Sequence, residues 1–414
     1  MRRMRGYGAA VFLGFLLWGA TPEAEAQWTL VEGETVAVEL GANLQLVTGY
    51  VRLPELDVPG LTLPSEAGLG SAVGRLEWYA ELGERATLEV HNRLFWQTST
   101  VPTEFLAQGV EVSRGADRRV DTAWEILDSS AATLVHDIDR AVLGLYFGPV
   151  DIYLGRQAVR WGVAELFPVA DRFAPLSPFE LDTLQRRGVD ALRAVAHLTA
   201  DLELDVVVAD RGPDEFISAA ARLEYFGTDI DAYVGGGRFY DRASLLGGLS
   251  YLWGNYKAYV EAEGLYDLEE GEVELPRVTL GVQRVAMRWM LGMEYHFNGL
   301  GLEPGEYHVA QEREEFLRGE SYFLGQHYLG LTAFFGGEDG WGLGGGAMAN
   351  LGDPSFIFFP MVQYEIAEEL SIAAGAYFGV GEAPMFTTAT MTVEVGSEYG
   401  AVPDLFFVQM TAFF

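Results

Sequence analysis

The feature that most constrains this chain is an alternation of polar and apolar residues that recurs along almost its whole length. Residues 35–50 show it first, with Val38, Leu40 and Leu44 at even positions and polar or small residues between them. Successive side chains of a β-strand point to opposite faces, so each such segment is predicted to be a strand with one apolar face and one polar face. Many of the segments reach about ten residues or more, the length of a tilted bilayer crossing. The fold must therefore offer hydrocarbon to one face of most strands and water to the other.

The alternation predicts 18 strands, with 16–18 as the range. Their predicted positions are residues 35–50, 72–83, 84–98, 134–148, 149–162, 188–200, 201–210, 217–226, 228–239, 242–254, 255–267, 274–285, 286–297, 322–336, 339–350, 354–366, 367–380 and 404–414.

The connections between these strands alternate in length. Short turns are predicted near residues 83, 148, 200, 227, 254, 285, 337 and 367, and mostly longer loops lie between them. A bilayer core holds no water, so every backbone group must pair across strands, and closing the sheet removes the unpaired edges. We therefore predict an all-β fold, a closed antiparallel transmembrane β-barrel with short periplasmic turns, long extracellular loops and both termini on the periplasmic side. A soluble sandwich or propeller is the alternative, and it leaves the long two-faced strands unexplained.

The first 26 residues have the pattern of a secretory signal peptide. Arg2, Arg3 and Arg5 precede an apolar run over residues 9–18, and Ala24-Glu25-Ala26 forms a cleavage site of small residues. The apolar run is too short to span a bilayer. We predict that residues 27–414 form a single barrel domain. The sequence contains no cysteine, so neither a disulfide framework nor a lipoprotein anchor is available.

The last segment, DLFFVQMTAFF, places Phe406, Val408, Met410 and Phe414 on one face. A strand of this kind with a terminal aromatic resembles the C-terminal assembly signal of Gram-negative outer-membrane β-barrels. The resemblance implies an outer-membrane location, contact with outer-membrane lipid and lipopolysaccharide, and recognition of the strand ending at Phe414 by the barrel-assembly machinery.

The charge balance is strongly acidic. The chain has 60 acidic and 27 basic residues, a net charge of −33, and no lysine or arginine follows Arg318. Nucleic-acid phosphates need a basic surface, so a nucleic-acid partner is not expected. An acidic balance favours cations instead.

Residues 151–194 differ from the rest because their acids and bases are balanced. Arg156 and Arg160 are predicted to share one face of a strand, and that face should line the lumen because arginine at lipid mid-depth costs about 2–4 kcal/mol. The following loop, residues 163–187, is long and carries Phe167, Phe173 and Phe179 for packing against the wall. Folded inward, the loop forms a constriction in which Glu165, Asp171, Glu180 and Asp182 face Arg156 and Arg160 across the opening. The alternatives are an outward surface loop and inert wall arginines. The predicted constriction residues are Arg156, Arg160, Glu165, Asp171, Arg172, Glu180, Asp182, Arg186 and Arg187.

The polar faces of the early strands predict further lumen-wall residues, namely Arg75, Glu77, Arg85, Glu89 and Arg93. Two other loop segments, residues 121–127 and 306–317, have the spacing of helical turns. We interpret them as mobile, solvated surface; the alternative is that either one caps or plugs the mouth of the barrel.

A short motif carries a second resemblance. Gly155-Arg156-Gln157 precedes Trp161-Gly162, and Asp171, Phe173 and Pro175 follow. This pattern resembles the GRQ-x-x-x-WG strand and D-x-F-x-P loop of porin-like outer-membrane proteins and, more loosely, alginate-export barrels. It implies a channel or an exporter.

Catalytic and metal-binding patterns are weak. His136-Asp137 with Asp139 is the strongest candidate for an outer-membrane hydrolase, but ordinary rim charges account for it, and the six histidines have no ligand spacing. We therefore predict neither an enzyme nor a resident cofactor. The pairs Asp137/Asp139 and Asp229/Asp231 carry oxygen ligands of the type that Ca²⁺ binds, with solvated lumen carboxylates as the alternative.

The function predicted from these patterns is a passive outer-membrane channel for small hydrophilic solutes or ions, favouring cations. Two alternatives stay open, a plugged barrel that binds or exports surface polysaccharide and a carrier of hydrophobic compounds.

Overall fold

The protein is almost entirely built of β-strands. The computed structural model describes residues 27–33, 35–101, 118–175, 185–212, 217–337, 339–388 and 392–414. The strands are β1 Gln27–Glu32, β2 Val36–Arg52, β3 Glu66–Leu82, β4 Ala86–Ser99, β5 Trp124–Asp128, β6 Ala132–Tyr146, β7 Val150–Gln157, β8 Val189–His197, β9 Leu202–Asp210, β10 Ile217–Phe226, β11 Ile230–Phe239, β12 Arg242–Trp253, β13 Tyr256–Asp267, β14 Arg277–Val285, β15 Trp289–Phe297, β16 His327–Gly336, β17 Trp341–Asn350, β18 Ser355–Ala367, β19 Leu370–Val380, β20 Met385–Thr387, β21 Thr392–Glu394 and β22 Asp404–Phe413. A 3₁₀ helix, Tyr307–Gln311, and a short α-helix, Glu314–Leu317, lie between β15 and β16.

Eighteen of these strands close into one antiparallel barrel: β2–β4, β6–β19 and β22. Each pairs with its neighbours in chain order, and β22 closes the ring by pairing with β2 from Asn43↔Phe413 to Arg52↔Asp404. The predicted fold class is therefore confirmed. The connections also alternate as predicted, because eight turns between barrel strands are short and most of the nine connections at the opposite end are longer.

Strand β3 shows which residues of the alternating pattern face outward and which face the inside of the barrel. Leu76 and Trp78 point outward with 47% and 40% of their surface exposed, while Arg75, which precedes them, points inward and is 3% exposed. The same pattern gives the barrel an apolar outer surface and a largely polar inner one, as a bilayer requires. Among the described residues, no helix has the length and apolar character needed to cross a membrane.

The seam of the barrel is completed by the first described strand. β22 pairs with the outer part of β2, and β1 pairs with the rest, from Gln27↔Gly41 to Glu32↔Ala37. Phe414 joins the two, since its backbone N–H donates to Ala42 O at 2.8 Å and its carbonyl accepts from Ala42 N at 3.0 Å. Strand β1 therefore covers an edge of β2 that the C-terminal strand does not reach.

Two predicted elements are wrong near β7. Residues 121–127, predicted to form a helical turn, contain strand β5, in which Trp124 pairs with His136 of β6. The predicted strand 149–162 ends at Gln157. Both departures have one cause: β7 leaves the wall while β6 continues outward, so the upper edge of β6 takes β5 as its partner instead.

Candidate pore constriction

The path of the chain after β7 is set by glycine. Gly155 has φ 111°, and a Cβ built on it would lie 2.2 Å from Ala141 O of the neighbouring strand. Only glycine fits this conformation at such a close approach. The strand ends two residues later, so Arg160 lies in the loop that follows. The prediction that Arg156 and Arg160 share a strand face is therefore wrong.

Arg156 is buried in the wall, with 4% of its surface exposed. Its guanidinium donates to Asp190 Oδ1 at 2.8 Å, Ile138 O at 2.6 Å, Thr122 Oγ1 at 2.5 Å and Val120 O. These partners lie where β7 has left β6, so Arg156 supplies hydrogen bonds that a neighbouring strand would otherwise make. This placement corrects the predicted pairing of Arg156 with the loop acids across an opening.

The loop after β7 lies inside the barrel, where two wall glutamates bind its backbone. Glu294 of β15 accepts the N–H groups of Glu165, Leu166 and Phe167 at 2.7, 3.1 and 3.0 Å. Glu261 of β13 accepts those of Val163 and, at 3.2 Å, Val169. The two glutamates, which we call the glutamate clamp, are almost fully buried, with 2% and 0% exposed. Five backbone donors thus end on two carboxylates, which fixes residues 163–169 of the loop against β13 and β15.

Each glutamate of the clamp also accepts a hydrogen bond from a tyrosine of the barrel wall. Tyr233 OH donates to Glu261 Oε1 at 2.9 Å, and Tyr259 OH donates to Glu294 Oε1 at 2.5 Å. The alternation of the sequence puts Glu261 and Glu294 on the polar faces of their strands, but it does not indicate their role. The alternation shows which way a side chain points, and it contains no signal for a partner in a distant loop.

Aromatic side chains pack the loop against the same wall. Phe167 stacks on His296 at 5.2 Å between ring centroids, and Thr279 Oγ1 donates to Phe167 O at 2.6 Å. Phe173 contacts Trp161 and Phe239, with ring centroids 5.2 and 5.1 Å apart. Phe179, predicted to pack in the same way, lies outside the described residues.

Ion pairs join the loop to the wall and to a second inward segment. Arg172 Nε lies 3.3 Å from Glu263 Oε1 of β13, and Arg172 Nη2 lies 2.5 Å from Glu320 Oε2. Tyr322 OH donates to Pro175 O at 3.2 Å. Residues 306–317, interpreted as solvated surface, instead include the buried Tyr307, Ala310 and Glu315. The buried network of arginines and glutamates draws this segment inward.

Burial changes the titration of the loop acids. Burial, followed by the neighbouring Glu294 carboxylate, raises the pKa of Glu165 to about 8, against opposing effects from Lys257 and Arg160. Burial also raises the pKa of Asp171, although Arg186, which pairs with it, acts in the other direction. The Glu165 carboxyl is therefore largely protonated at neutral pH. Arg160 is half-buried and, within the described part of the chain, forms no ion pair within 4 Å.

The return limb of the loop, residues 185–188, contacts strands β3, β4 and β6. Gln185 donates to Glu77 of β3 and contacts His91 of β4, and Arg140 Nη2 donates to Arg186 O at 2.6 Å. Arg187 also lies on this limb. Glu180 and Asp182 lie outside the described residues.

The predicted wall residues divide into two groups. Four lie on β3 and β4: Arg75 pairs with Asp139 at 3.2 Å, Glu77 contacts Gln185, Glu89 pairs with His91 at 3.0 Å, and the Arg93 guanidinium lies 4.9 Å from the centre of the Phe95 ring. Arg85 instead lies in the turn before β4 and is exposed. The prediction for Arg85 is wrong because the strand begins one residue later.

The described residues include no group of three or more histidines or acids that could hold a metal ion. Asp137 accepts hydrogen bonds from Arg118 and Thr122 at 2.8 and 2.7 Å, and Asp139 pairs with Arg75. Arginine therefore already neutralises the acid pair that was considered for Ca²⁺.

No protein-family model matches the chain, and no curated protein matches it. Solved structures do. Acinetobacter baumannii OccAB1 superposes with a TM-score of 0.56 at 10% identity, covering 93% of this chain and 98% of that one. Pseudomonas aeruginosa OccK9 (OpdG) gives 0.56 at 11%, covering 91% and 98%, and A. baumannii OccAB4 gives 0.53 at 12%, covering 91% and 98%.

These structures are outer-membrane porins with 18-strand barrels. The chain shares their 18-strand barrel fold. At this level of identity the likeness concerns architecture, and it includes nearly the whole length of both chains. It does not extend to the GRQ-x-x-x-WG motif or to the alginate-export barrels, so both of those resemblances stay predictions.

Proposed function

We propose that this protein is a passive channel of the outer membrane for small hydrophilic solutes and ions. One observation carries the proposal: within a closed barrel, the inward loop is fixed along one side by the glutamate clamp. On the other side, inward-facing residues such as Phe359, Met361 and Phe407 keep part of their surface exposed. A barrel of 16–18 strands is wide enough for an aqueous path, and in this proposal the inward loop narrows that path.

We further propose that the channel favours cations. The excess of 60 acidic over 27 basic residues supports this preference, because a negative field raises the local concentration of cations. The ionic groups on the inner face disfavour a carrier of hydrophobic compounds. In this proposal residues 1–26 are a cleaved signal peptide, and the strand ending at Phe414 is the one that the assembly machinery receives.

Planar-bilayer recording of the purified protein tests the channel. We expect discrete conductance steps and, under a salt gradient of KCl, a reversal potential of the sign for cation selectivity. A protein that inserts and gives no steps contradicts the channel, whereas steps with anion selectivity contradict only the ion preference.

A pair of arginine variants sharpens the test. Arg160→Gln removes a half-buried loop cation without an ion pair in the described structure, so cation selectivity should rise. Arg85→Gln removes the same charge from an exposed turn and should leave the reversal potential unchanged. Equal effects of the two substitutions would show that the loop does not lie in the ion path.

A further inference from the structure

Three aromatic rings form a continuous strip on the inner face of neighbouring strands. They are Phe359 of β18, Tyr377 of β19 and Phe407 of β22. Phe359 stacks on Tyr377 with ring centroids 5.9 Å apart and planes 27° apart, and Tyr377 stacks on Phe407 at 6.0 Å and 29°. We call these residues the aromatic strip. Because the rings follow one another around the barrel, they present a continuous apolar surface rather than three separate contacts.

Glycines on the paired strands let the outer two rings lie against the wall. Gly346 pairs with Phe359, and a Cβ built on that glycine would lie 2.7 Å from Phe359 Cζ. Gly375 pairs with Phe407, and its Cβ would lie 2.6 Å from Phe407 Cζ. A side chain at either glycine would displace the ring from the wall. The two glycines therefore let the outer two rings lie close against the barrel wall.

The strip remains partly exposed although apolar clusters lie at both of its ends. Phe359 and Tyr377 pack against the cluster that contains Phe167 and Tyr328, and Tyr377 and Phe407 pack against the cluster of Val51, Ala67, Leu69 and Leu405. All three rings are nevertheless only half-buried. A partly exposed aromatic ring on the inner face of the barrel is available to a solute that enters the proposed channel.

The surroundings of the strip are almost free of charge. Strands β17, β18, β19 and β22, which we call the neutral wall, contain two charged residues, Glu365 and Asp404. Glu365 is exposed near one end of β18, and Asp404 pairs with Arg52 at 3.6 Å. The inward positions near the rings instead carry neutral hydrogen-bonding groups: Gln363 and Thr411 are buried, and the half-buried Gln409 donates to Thr411 Oγ1 at 3.3 Å.

We propose that the aromatic strip is a binding track for uncharged saccharides, whose pyranose rings stack on Phe359, Tyr377 and Phe407 in turn. This inference rests on the channel function proposed above and adds a solute class to it. A pyranose ring has an apolar face of C–H groups that packs on an aromatic face, and its hydroxyl groups exchange hydrogen bonds with amides and hydroxyls. A charged solute would find no counter-charge near the rings on these strands, and the half-buried Gln409 offers a neutral hydrogen-bonding group beside Phe407 that a purely aromatic solute would not use.

Maltotriose is the probe for the test. In planar bilayers, maltotriose added to the conducting wild-type channel should interrupt the ion current in a concentration-dependent manner. The triple variant Phe359→Leu, Tyr377→Leu, Phe407→Leu keeps apolar side chains but removes the rings. Its affinity for maltotriose should fall about tenfold or more, since each aromatic contact contributes roughly twofold to tenfold. The current without sugar should change little.

The chain provides a matched control, because an outward-facing aromatic lies next to each ring. Phe358, Phe378 and Phe406 occupy the adjacent positions on the lipid side. The triple variant Phe358→Leu, Phe378→Leu, Phe406→Leu should retain wild-type block by maltotriose, and Tyr377→Phe, which keeps the ring, should retain it as well. If the inward triple variant does not fold, the three single leucine variants serve in its place.

Several outcomes overturn the proposal. A wild-type channel that conducts ions and is not blocked by maltotriose contradicts the saccharide track while the channel function stands. Equal loss of block in the inward and outward variants contradicts the assignment to the strip. If the protein passes no ions, the channel function fails instead, and isothermal titration of the detergent-solubilised protein with maltotriose still decides the binding claim.

Discussion

Both sides of the lumen place an aromatic ring over a glycine of the neighbouring strand, but the rings are covered on one side and partly exposed on the other. In β9–β15, which we call the charged wall, Tyr233 and Tyr259 pair with Gly248 and Gly281, and Cβ atoms built on those glycines would lie 2.1 and 2.2 Å from the tyrosine rings. In the neutral wall, Phe359 and Phe407 pair with glycine in the same way. An aromatic ring over a cross-strand glycine is thus common to both sides.

The two walls differ in whether the inward loop covers these rings. On the charged wall the tyrosine hydroxyls support the glutamate clamp, and the inward loop lies over the rings, so Tyr233 and Tyr259 are each 5% exposed. On the neutral wall no clamp residue is present and the rings remain half-buried. The barrel therefore supplies a uniform scaffold, and acids at two inward positions decide which side the loop occupies.

The largest effect is expected from breaking the clamp. Glu294→Leu leaves three backbone N–H groups without an acceptor, and each such buried donor costs roughly 1–3 kcal/mol. The loop should leave the charged wall, which would raise single-channel conductance severalfold and expose residues 158–175 to protease. Met361→Leu, an inward change on the neutral wall, is the control and should alter neither. A clamp variant with wild-type conductance and protease resistance would show that packing alone holds the loop.

A smaller effect is expected from pH. The pKa of Glu165 is about 8 in the docked loop, against an ordinary value of 4.5. Between pH 4.5 and 8 the Glu165 carboxyl is therefore protonated in the docked loop and ionised in a released loop. The free energy of docking should therefore become less favourable as pH rises from about 4.5 to 8, because the docked loop must then hold an ionised carboxylate beside Glu294. Above pH 8 it should stay constant.

Conductance fluctuations recorded from pH 5 to 9 measure this dependence. Glu165→Gln cannot ionise and should reduce the change in that window, whereas Glu365→Gln on the neutral wall should leave it as in the wild type. A wild-type channel whose fluctuations do not depend on pH would contradict the burial of Glu165 in the docked loop.

The smallest effect concerns the neutral wall alone. Gly375→Val should displace the Phe407 ring into the lumen and strain the packing by about 1–3 kcal/mol. We expect a modest fall in conductance and in thermal stability. Ala374→Val adds similar volume on the outward side of the same strand and should lower neither, so equal losses in both variants would argue that the ring does not border the ion path.

Much of this architecture could be predicted from the sequence because alternation is a local signal. The number of strands, the side of each connection and the inward direction of residues such as Arg75, Glu261 and Glu294 all follow from the pattern. The end of β7 was missed because a positive φ at Gly155 interrupts a pattern that otherwise continues to Trp161. Strand β5 was missed because its five exposed residues resemble a solvated turn.

The candidate site was harder to predict because it depends on contacts between distant parts of the chain. Arg156 and Arg160 look alike in sequence, yet one is buried in the wall and the other lies in the loop. Nothing local distinguishes Glu261 from other inward glutamates, since its role depends on backbone groups almost 100 positions away. The aromatic strip depends on pairing between strands, which no single segment contains.

Cysteine accessibility tests the difference between the two walls most directly, because the sequence contains no cysteine. Met361→Cys places a thiol on the half-buried face of the neutral wall, and Thr279→Cys places one on the charged wall beneath Phe167, where Thr279 is 0% exposed. A charged methanethiosulfonate reagent added to the reconstituted channel should modify Met361→Cys rapidly and reduce its current, while Thr279→Cys remains unmodified. Rapid modification of Thr279→Cys, or protection of both thiols, would contradict a lumen whose charged wall is covered and whose neutral wall faces water.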